Sequence, residues 1–472
     1  MSRSAAIAAV TRMFASGEFL ATLERSVAHR TESQEPTRLP ELRAYLEDFI
    51  VPLIEPLGFA STLYPNPEPE HGPLLVAERI EAADLPTLLM YGHGDVVRGY
   101  DAQWREGLSP WQVVVEGERW YGRGSADNKG QHLINLSALA QVIEAREGRL
   151  GFNVKLLLEM GEEAGSPGLR EFCATHPQQL AADLFIASDG PRLSALQPTI
   201  FLGSRGAVNI DLKVNLRDGA HHSGNWGGLL RNPGIVLANA IASLVNQDGQ
   251  VQVPGLKPAS LPDSVKRAIA PLQLTPSSPN DPTIDPSWGE PGLSPAERVF
   301  GWNTFEVLAF KTGNPDAPVN AIPGHASAHC QVRFVAGSDF REFVPAIRRH
   351  LDALGFSQVE VSQSPGGVLN ASRLDPDNPW VHWALHSLQS TTGKTPALLP
   401  NLGGSLPNDI FVDVLGLPTL WVPHSYAACS QHAPNEHLLA PVVEEGLQIM
   451  AGLFWDLGES AVDLLRESRA AG

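Results

Sequence analysis

Three short runs limit what this chain can fold into more than any other feature of it. LLMY at 88–91, the run inside FNVKLLLEM at 152–160, and LFIA at 184–187 have the apolar character and length of buried strands. Each is followed at once by residues able to do chemistry: Gly-His-Gly-Asp at 92–95, Glu162-Glu163, and Asp189 before Gly190. In open α/β sheets, ligands sit beyond the carboxyl ends of the strands. Three such strands, with a helical stretch over His132–Ala145 between the first two, predict an α/β domain whose strand ends converge on a single site.

The rest of the chain builds around that frame. Helical spacing covers 18–30 and 40–58, and in the second Leu42, Leu46, Phe49 and Ile50 fall on one face. Residues 111–124 read as a strand, a turn at Glu116-Gly117 and a return strand. After Gly203 the pattern changes. AVNIDLKVNL at 207–216, FEVLAF at 305–310 and ASAHCQVRFV at 326–335 alternate apolar and polar residues, as half-solvated antiparallel strands do. Helices are expected at 232–245 and 340–354, and a closing strand at 359–364. The proline-rich stretch 253–295 reads as an irregular insertion of unassigned role. From 369 the α/β character returns, with a helix at 379–390, a strand at 417–423 and a last helix at 442–457. The expected architecture is an α/β catalytic domain, a mixed and mostly parallel sheet flanked by helices, interrupted by an α+β lid or dimerisation domain. Residues 1–204 and 369–472 form the first domain in two parts, and 205–368 form the insertion.

A net charge of -18 argues against a nucleic-acid backbone or an anionic membrane as partner. The three cysteines, Cys173, Cys330 and Cys429, are too few and too scattered for a disulfide framework or a thiolate metal site. Ala5–Val10 is apolar but is interrupted at Thr11 and Arg12, and no run reaches membrane-spanning length. A cytoplasmic protein is the expectation.

The candidate ligands are His93, Asp95, Asp127, Glu162, Glu163, Asp189 and His432. A hydrolytic site with two cations needs a carboxylate to bridge them, further imidazole and carboxylate ligands on each side, and a separate carboxylate to take a proton from water. A mixed His/Asp/Glu set suits zinc better than magnesium. Single elements admit plainer readings. Adjacent glutamates are common at solvated strand ends, Asp before Gly is a turn signal, and His424 and His437 compete with His432.

The segments YGHGDVV, GRGSADNKG, LLEMGEEAGS, ASDG and SQHAPNEH, in that order, resemble the dizinc M20 metallopeptidases, a family of carboxypeptidases, carnosinase-like dipeptidases and N-acyl amino acid deacylases. The resemblance implies that His93 and Asp189 hold one zinc, Glu163 and His432 the other, and that Asp127 bridges them. It implies that Asp95 orients His93, that Glu162 is the general base, and that the Asp127-Asn128 peptide is cis. AHHSGNWGG at 220–228 resembles the family's lid segment, so His222 would stabilise the oxyanion from the partner subunit of a homodimer. Asn320 and Arg333 match positions that contact substrate, and Ser405 lies in a loop, NLGGSLPND, resembling the one at the substrate's carboxylate end. The resemblance thus implies a hydrolase with two Zn2+ per subunit, Co2+ or Mn2+ being substitutes. Metal-bound hydroxide and Glu162 would cleave the amide bond of dipeptides or small peptides with a free C-terminal carboxylate. The alternatives are an N-acyl amino acid deacylase and a ligand-binding homologue without turnover.

Overall fold

The computed structural model describes residues 2–274, 282–366 and 368–471. Its largest sheet has eight strands, in the spatial order Ala60–Tyr64, Leu74–Arg79, Asn153–Glu159, Thr87–His93, Leu184–Ala187, Thr419–Trp421, Thr199–Phe201 and Ala397–Leu399. Asn153–Glu159, Thr87–His93, Leu184–Ala187 and Thr419–Trp421 run parallel, whereas the first two strands and the Trp421–Phe201 pairing are antiparallel. The sheet is mixed, and its parallel centre contains the three apolar runs at 88–91, 152–160 and 184–187.

Both faces of that centre are covered, which is why its apolar runs place apolar residues on both faces rather than alternating. Leu88, Met90, Leu156, Leu158, Leu184 and Ile186 point into one hydrophobic cluster, with the helices Arg3–Ala15, Lys129–Ala145, Pro379–Thr392 and Ala440–Ala471. Their odd neighbours Leu89, Tyr91, Leu157, Phe185 and Ala187 point into the other, as the two-residue period of a strand requires.

A four-stranded antiparallel sheet, in the order Thr304–Thr312, His325–Phe334, Gly206–Asn215 and Val359–Gln363, lies within the expected insertion. Val208, Ile210, Leu212 and Val214 are buried and their neighbours are not, so the predicted alternation is present. The helices Pro233–Leu244 and Phe343–Ala353 cover its apolar face.

Two expectations need correction, and one further helix lies at the N-terminus. Ala5–Val10 belongs to the helix Arg3–Ala15, which buries only Ala6, Val10 and Met13 and is tied to the last helix by an Arg3–Asp456 ion pair at 2.7 Å. Alanines on its other sides blur the contrast that periodicity relies on. The last helix extends over Ala440–Ala471, well past 457. The proline-rich stretch is not irregular throughout: Asp263–Ile269 is a helix, and its Val265 and Ile269 pack with Ala296 and Phe300 against the large sheet. Part of the expected insertion (275–281) lies outside the described residues. No single helix among the described residues is long and apolar enough to cross a membrane.

Candidate metal centre

Adjacent parallel strands deliver the site. His93 closes Thr87–His93 and pairs in register with Glu159, the last residue of Asn153–Glu159. Asp95 and Glu162-Glu163 lie just beyond those two ends, and Asp189 lies just beyond Leu184–Ala187 on the other side. Asp127 comes from the loop entering the buried helix Lys129–Ala145, across a cis Asp127-Asn128 peptide. His432 comes from the loop after Tyr426, with a left-handed backbone at φ 60°.

These residues form two groups that share one member. His93, Asp127 and Asp189 bring one ligand atom each to within 4.8 Å of the others, and so do Asp127, Glu163 and His432. Asp127 Oδ1 lies 3.0 Å from His93 Nε2, and its Oδ2 lies 2.9 Å from His432 Nε2. Glu163 Oε2 lies 3.0 Å from His432 Nε2, and Asp189 Oδ2 lies 3.5 Å from His93 Nε2.

The charge balance fits divalent cations. Desolvation, with the Asp127 charge, raises the carboxyl groups of Asp189 and Glu163, the latter to about 7. Glu162 is held well above the usual carboxylate range by desolvation, against His93 and with Asp189 adding. Hydrogen bonds donated to the Asp127 and Glu163 carboxylates drive His432 up to about 11. Burial disfavours a charged His93, yet Asp127, Asp189 and Asp95 outweigh it. The site thus packs carboxylates that need positive charge. Asp189 Oδ2, moreover, is buried with no hydrogen-bond partner among the described residues. The residues present can hold two cations, one in each group.

Asp95 and Glu436 brace this arrangement. His93 Nδ1 is 3.1 Å from the Asp95 carbonyl oxygen and 3.3 Å from its Oδ1, which suits the expected orienting role. The Asp95 carboxylate also accepts the backbone N–H groups of Glu162 and Glu163, each at 3.1 Å, so it sets two strand ends against each other. Sequence reasoning did not anticipate Glu436. Its buried carboxylate accepts from the backbone N–H of Gly124, Ala126 and Asp127 at 3.0–3.1 Å, and from Arg123 Nη1 at 2.7 Å. It thereby ties the loop of the shared ligand to the loop of His432. The Pro-Asn-Glu after His432 was the available signal.

A cavity of about 770 Å³ opens beside the ligands and is lined by Asp189, His432, Arg333 and Ser405. Arg333 Nη1 donates to Ser405 Oγ at 2.8 Å, and Ser405 Oγ donates to the Arg205 carbonyl at 2.7 Å. Burial lowers the pKa of Arg333, and among the described residues no carboxylate forms an ion pair with it. Arg333 and Ser405 therefore join the site. His222 and Asn320 do not line this cavity. They lie together elsewhere: His221–His222 pairs with Ala321–Ile322, and the Asn320 carbonyl accepts from Ser223 N at 2.9 Å. His222 is exposed.

Comparison with known proteins shows the family and the fold. A family model described as "Peptidase family M20/M25/M40" matches residues 89–456. The chain is 31% identical to the Beta-Ala-His dipeptidase of Mus musculus, over 94% of this chain and 93% of that one. It is 27% identical to the cysteinylglycine-S-conjugate dipeptidase of Corynebacterium striatum, over 75% and 76%. Among solved structures, an M20 family metallo-carboxypeptidase from Sulfolobus solfataricus superposes with a TM-score of 0.78 at 26% identity, over 93% of this chain and 99% of that one.

Proposed function

The chain belongs to peptidase family M20/M25/M40, and from that premise we propose that it is a dipeptidase holding two divalent ions per subunit. It cleaves the amide bond of small peptides that carry a free C-terminal carboxylate. One observation carries this reading: Asp127 belongs to both ligand groups, and across the adjoining cavity Arg333 offers a guanidinium with no carboxylate partner among the described residues. The names of the relatives, dipeptidases for β-Ala-His and cysteinylglycine conjugates, point to the same substrate size. His93, Asp127 and Asp189 would hold one ion, and Asp127, Glu163 and His432 the other. The mixed donors favour Zn2+, with Co2+ or Mn2+ able to substitute. Ions bound there would polarise the scissile carbonyl and make water more acidic.

The chain's own groups do the remainder. Glu162, outside both ligand groups, takes the proton of the attacking water and passes it to the leaving amine. Asp95 keeps Glu162 and Glu163 in place through their backbone N–H groups. Arg333, with Ser405 beside it, receives the substrate carboxylate through charge-assisted hydrogen bonds.

We assign 205–368 to the lid, with the segment around Asp263–Ile269 strapping it to the large sheet, and we assign a homodimer. The edge strand Thr304–Thr312 exposes Val307, Leu308 and Phe310, and Trp226 and Leu229 are exposed close to His222 in the chain. An apolar sheet edge of this kind suits pairing with a second copy, and His222, outside its own cavity, is available to the partner's. His222→Ala is expected to keep its metal and lose about 10²–10³ in turnover, the scale of an oxyanion donor. Mixed dimers of His222→Ala with Glu162→Gln should regain activity, because one of their two sites then has both groups intact. Dimers that form but stay inactive would contradict action across the interface.

The substrate class is tested by comparing hydrolysis of Ala-Leu with that of N-acetyl-leucine, after chelation and after zinc is restored. Zinc-dependent cleavage of Ala-Leu is the expected result. Cleavage of the N-acetyl compound alone would replace the dipeptidase reading with the deacylase one.

A further inference from the structure

A second cavity, of about 400 Å³, adjoins the first and shares Leu274 and Val299 with it. Its walls include Arg205, Arg298, Trp288, Trp302, Glu290 and Glu306. Four polar atoms of these residues are buried without a hydrogen-bond partner among the described residues: Nε of Arg205, Nε of Arg298, Nε1 of Trp302 and Oε2 of Glu290. Buried polar atoms are almost always paired, and leaving one unpaired is costly, so four on residues that line one cavity point to a missing partner.

The chemistry of the four atoms narrows what that partner is. Three are N–H donors, and two of those belong to guanidinium groups that form no ion pair with any described carboxylate. Arg205 is only 5% exposed. Water would fill these hydrogen bonds but bring no charge to guanidinium groups that touch no described carboxylate; a ligand carboxylate does both. The same walls offer negative charge. Glu290 Oε1 is held by Lys257 at 2.9 Å, leaving Oε2 free, and Glu306 stands within electrostatic reach of Arg205. Trp288, Trp302 and Val299 supply an apolar surface.

We infer that the second cavity binds a free α-amino acid with an apolar or aromatic side chain. Its carboxylate meets Arg205, Arg298 and Trp302, its ammonium meets Glu290 and Glu306, and its side chain lies against Trp288. This site is independent of the peptidase reading, since none of its six residues belongs to either metal group. Arg205 also supports the first cavity, through the bond from Ser405 to its carbonyl and a 3.3 Å bond from its Nη2 to the Arg333 carbonyl. The test therefore leaves Arg205 intact.

Calorimetric titration of the metal-loaded enzyme with L-leucine and L-phenylalanine tests the inference, alongside Trp302→Phe, Glu306→Gln and Arg333→Ala. The expected result is a binding event that survives Arg333→Ala and weakens at least tenfold in Trp302→Phe and Glu306→Gln. Leucinamide and N-acetyl-leucine, each lacking one charge, should also bind at least tenfold more weakly there. Thermal melts without ligand confirm that each variant is folded, and either cavity variant alone suffices. No amino-acid binding, or binding abolished by Arg333→Ala and unaltered by both cavity variants, would overturn the inference and leave the cavity to solvent.

Discussion

Glu162→Gln is expected to lower dipeptide turnover by about 10²–10⁴-fold, the contribution of a positioned general base, while the metal content per chain stays at the wild-type value. Glu162 belongs to neither ligand group, whereas its neighbour Glu163 belongs to one. Both backbone N–H groups are held by the Asp95 carboxylate at 3.1 Å, so the amide side chain occupies the same place without disturbing Glu163. What the amide lacks is the ability to accept a proton and return it to the amine. Turnover number and metal content measured on the same preparation check the prediction. Wild-type rates would assign the base elsewhere, and parallel loss of metal and activity would make Glu162 a ligand.

Asp127→Ala is expected to have the other large effect, through a different route. Without it His93 and Asp189 are left as one pair, and Glu163 and His432 as the other, and two protein ligands hold a divalent ion poorly. Loss of a hydrogen-bond partner behind a metal ligand already costs about 10–100-fold in affinity; loss of a ligand shared by both ions should cost more at each. Metal content should fall from two ions per chain to less than one at micromolar zinc, with turnover lost in step. Far-UV circular dichroism separates loss of metal from loss of fold. Retention of two ions would show that Asp127 does not bridge them.

The parts of the molecule legible in the sequence are those where a local pattern has one physical meaning. The apolar runs at 88–91 and 184–187 are buried strands because both their faces are covered. The residues just after them meet because parallel neighbours bring their carboxyl ends to one side of the sheet. The alternation at 207–216 shows which face of the smaller sheet is solvated. The resemblance read from the five ordered segments agrees with the family match. Other features depend on partners far away in the chain. Glu436 acts on backbone groups some 310 positions earlier, so the Pro-Asn-Glu run marks the residue but not the loop that it braces. The second task of Asp95, holding Glu162 and Glu163, spans 67 and 68 positions. The helix Asp263–Ile269 is short and proline-flanked, and only its packing on the large sheet gives it a role. That His222 lies outside the lining of its own chain's cavity is implied by the lid resemblance alone, since no local pattern carries it.

The central claim is a pair of cations joined by Asp127 that together support peptide hydrolysis. Returning zinc stepwise to the chelated enzyme, with Ala-Leu hydrolysis followed at each addition, tests it most directly. Activity should be absent at the start and reach its plateau at two equivalents per chain. Full activity in the presence of chelator, or a plateau at one equivalent, would contradict it.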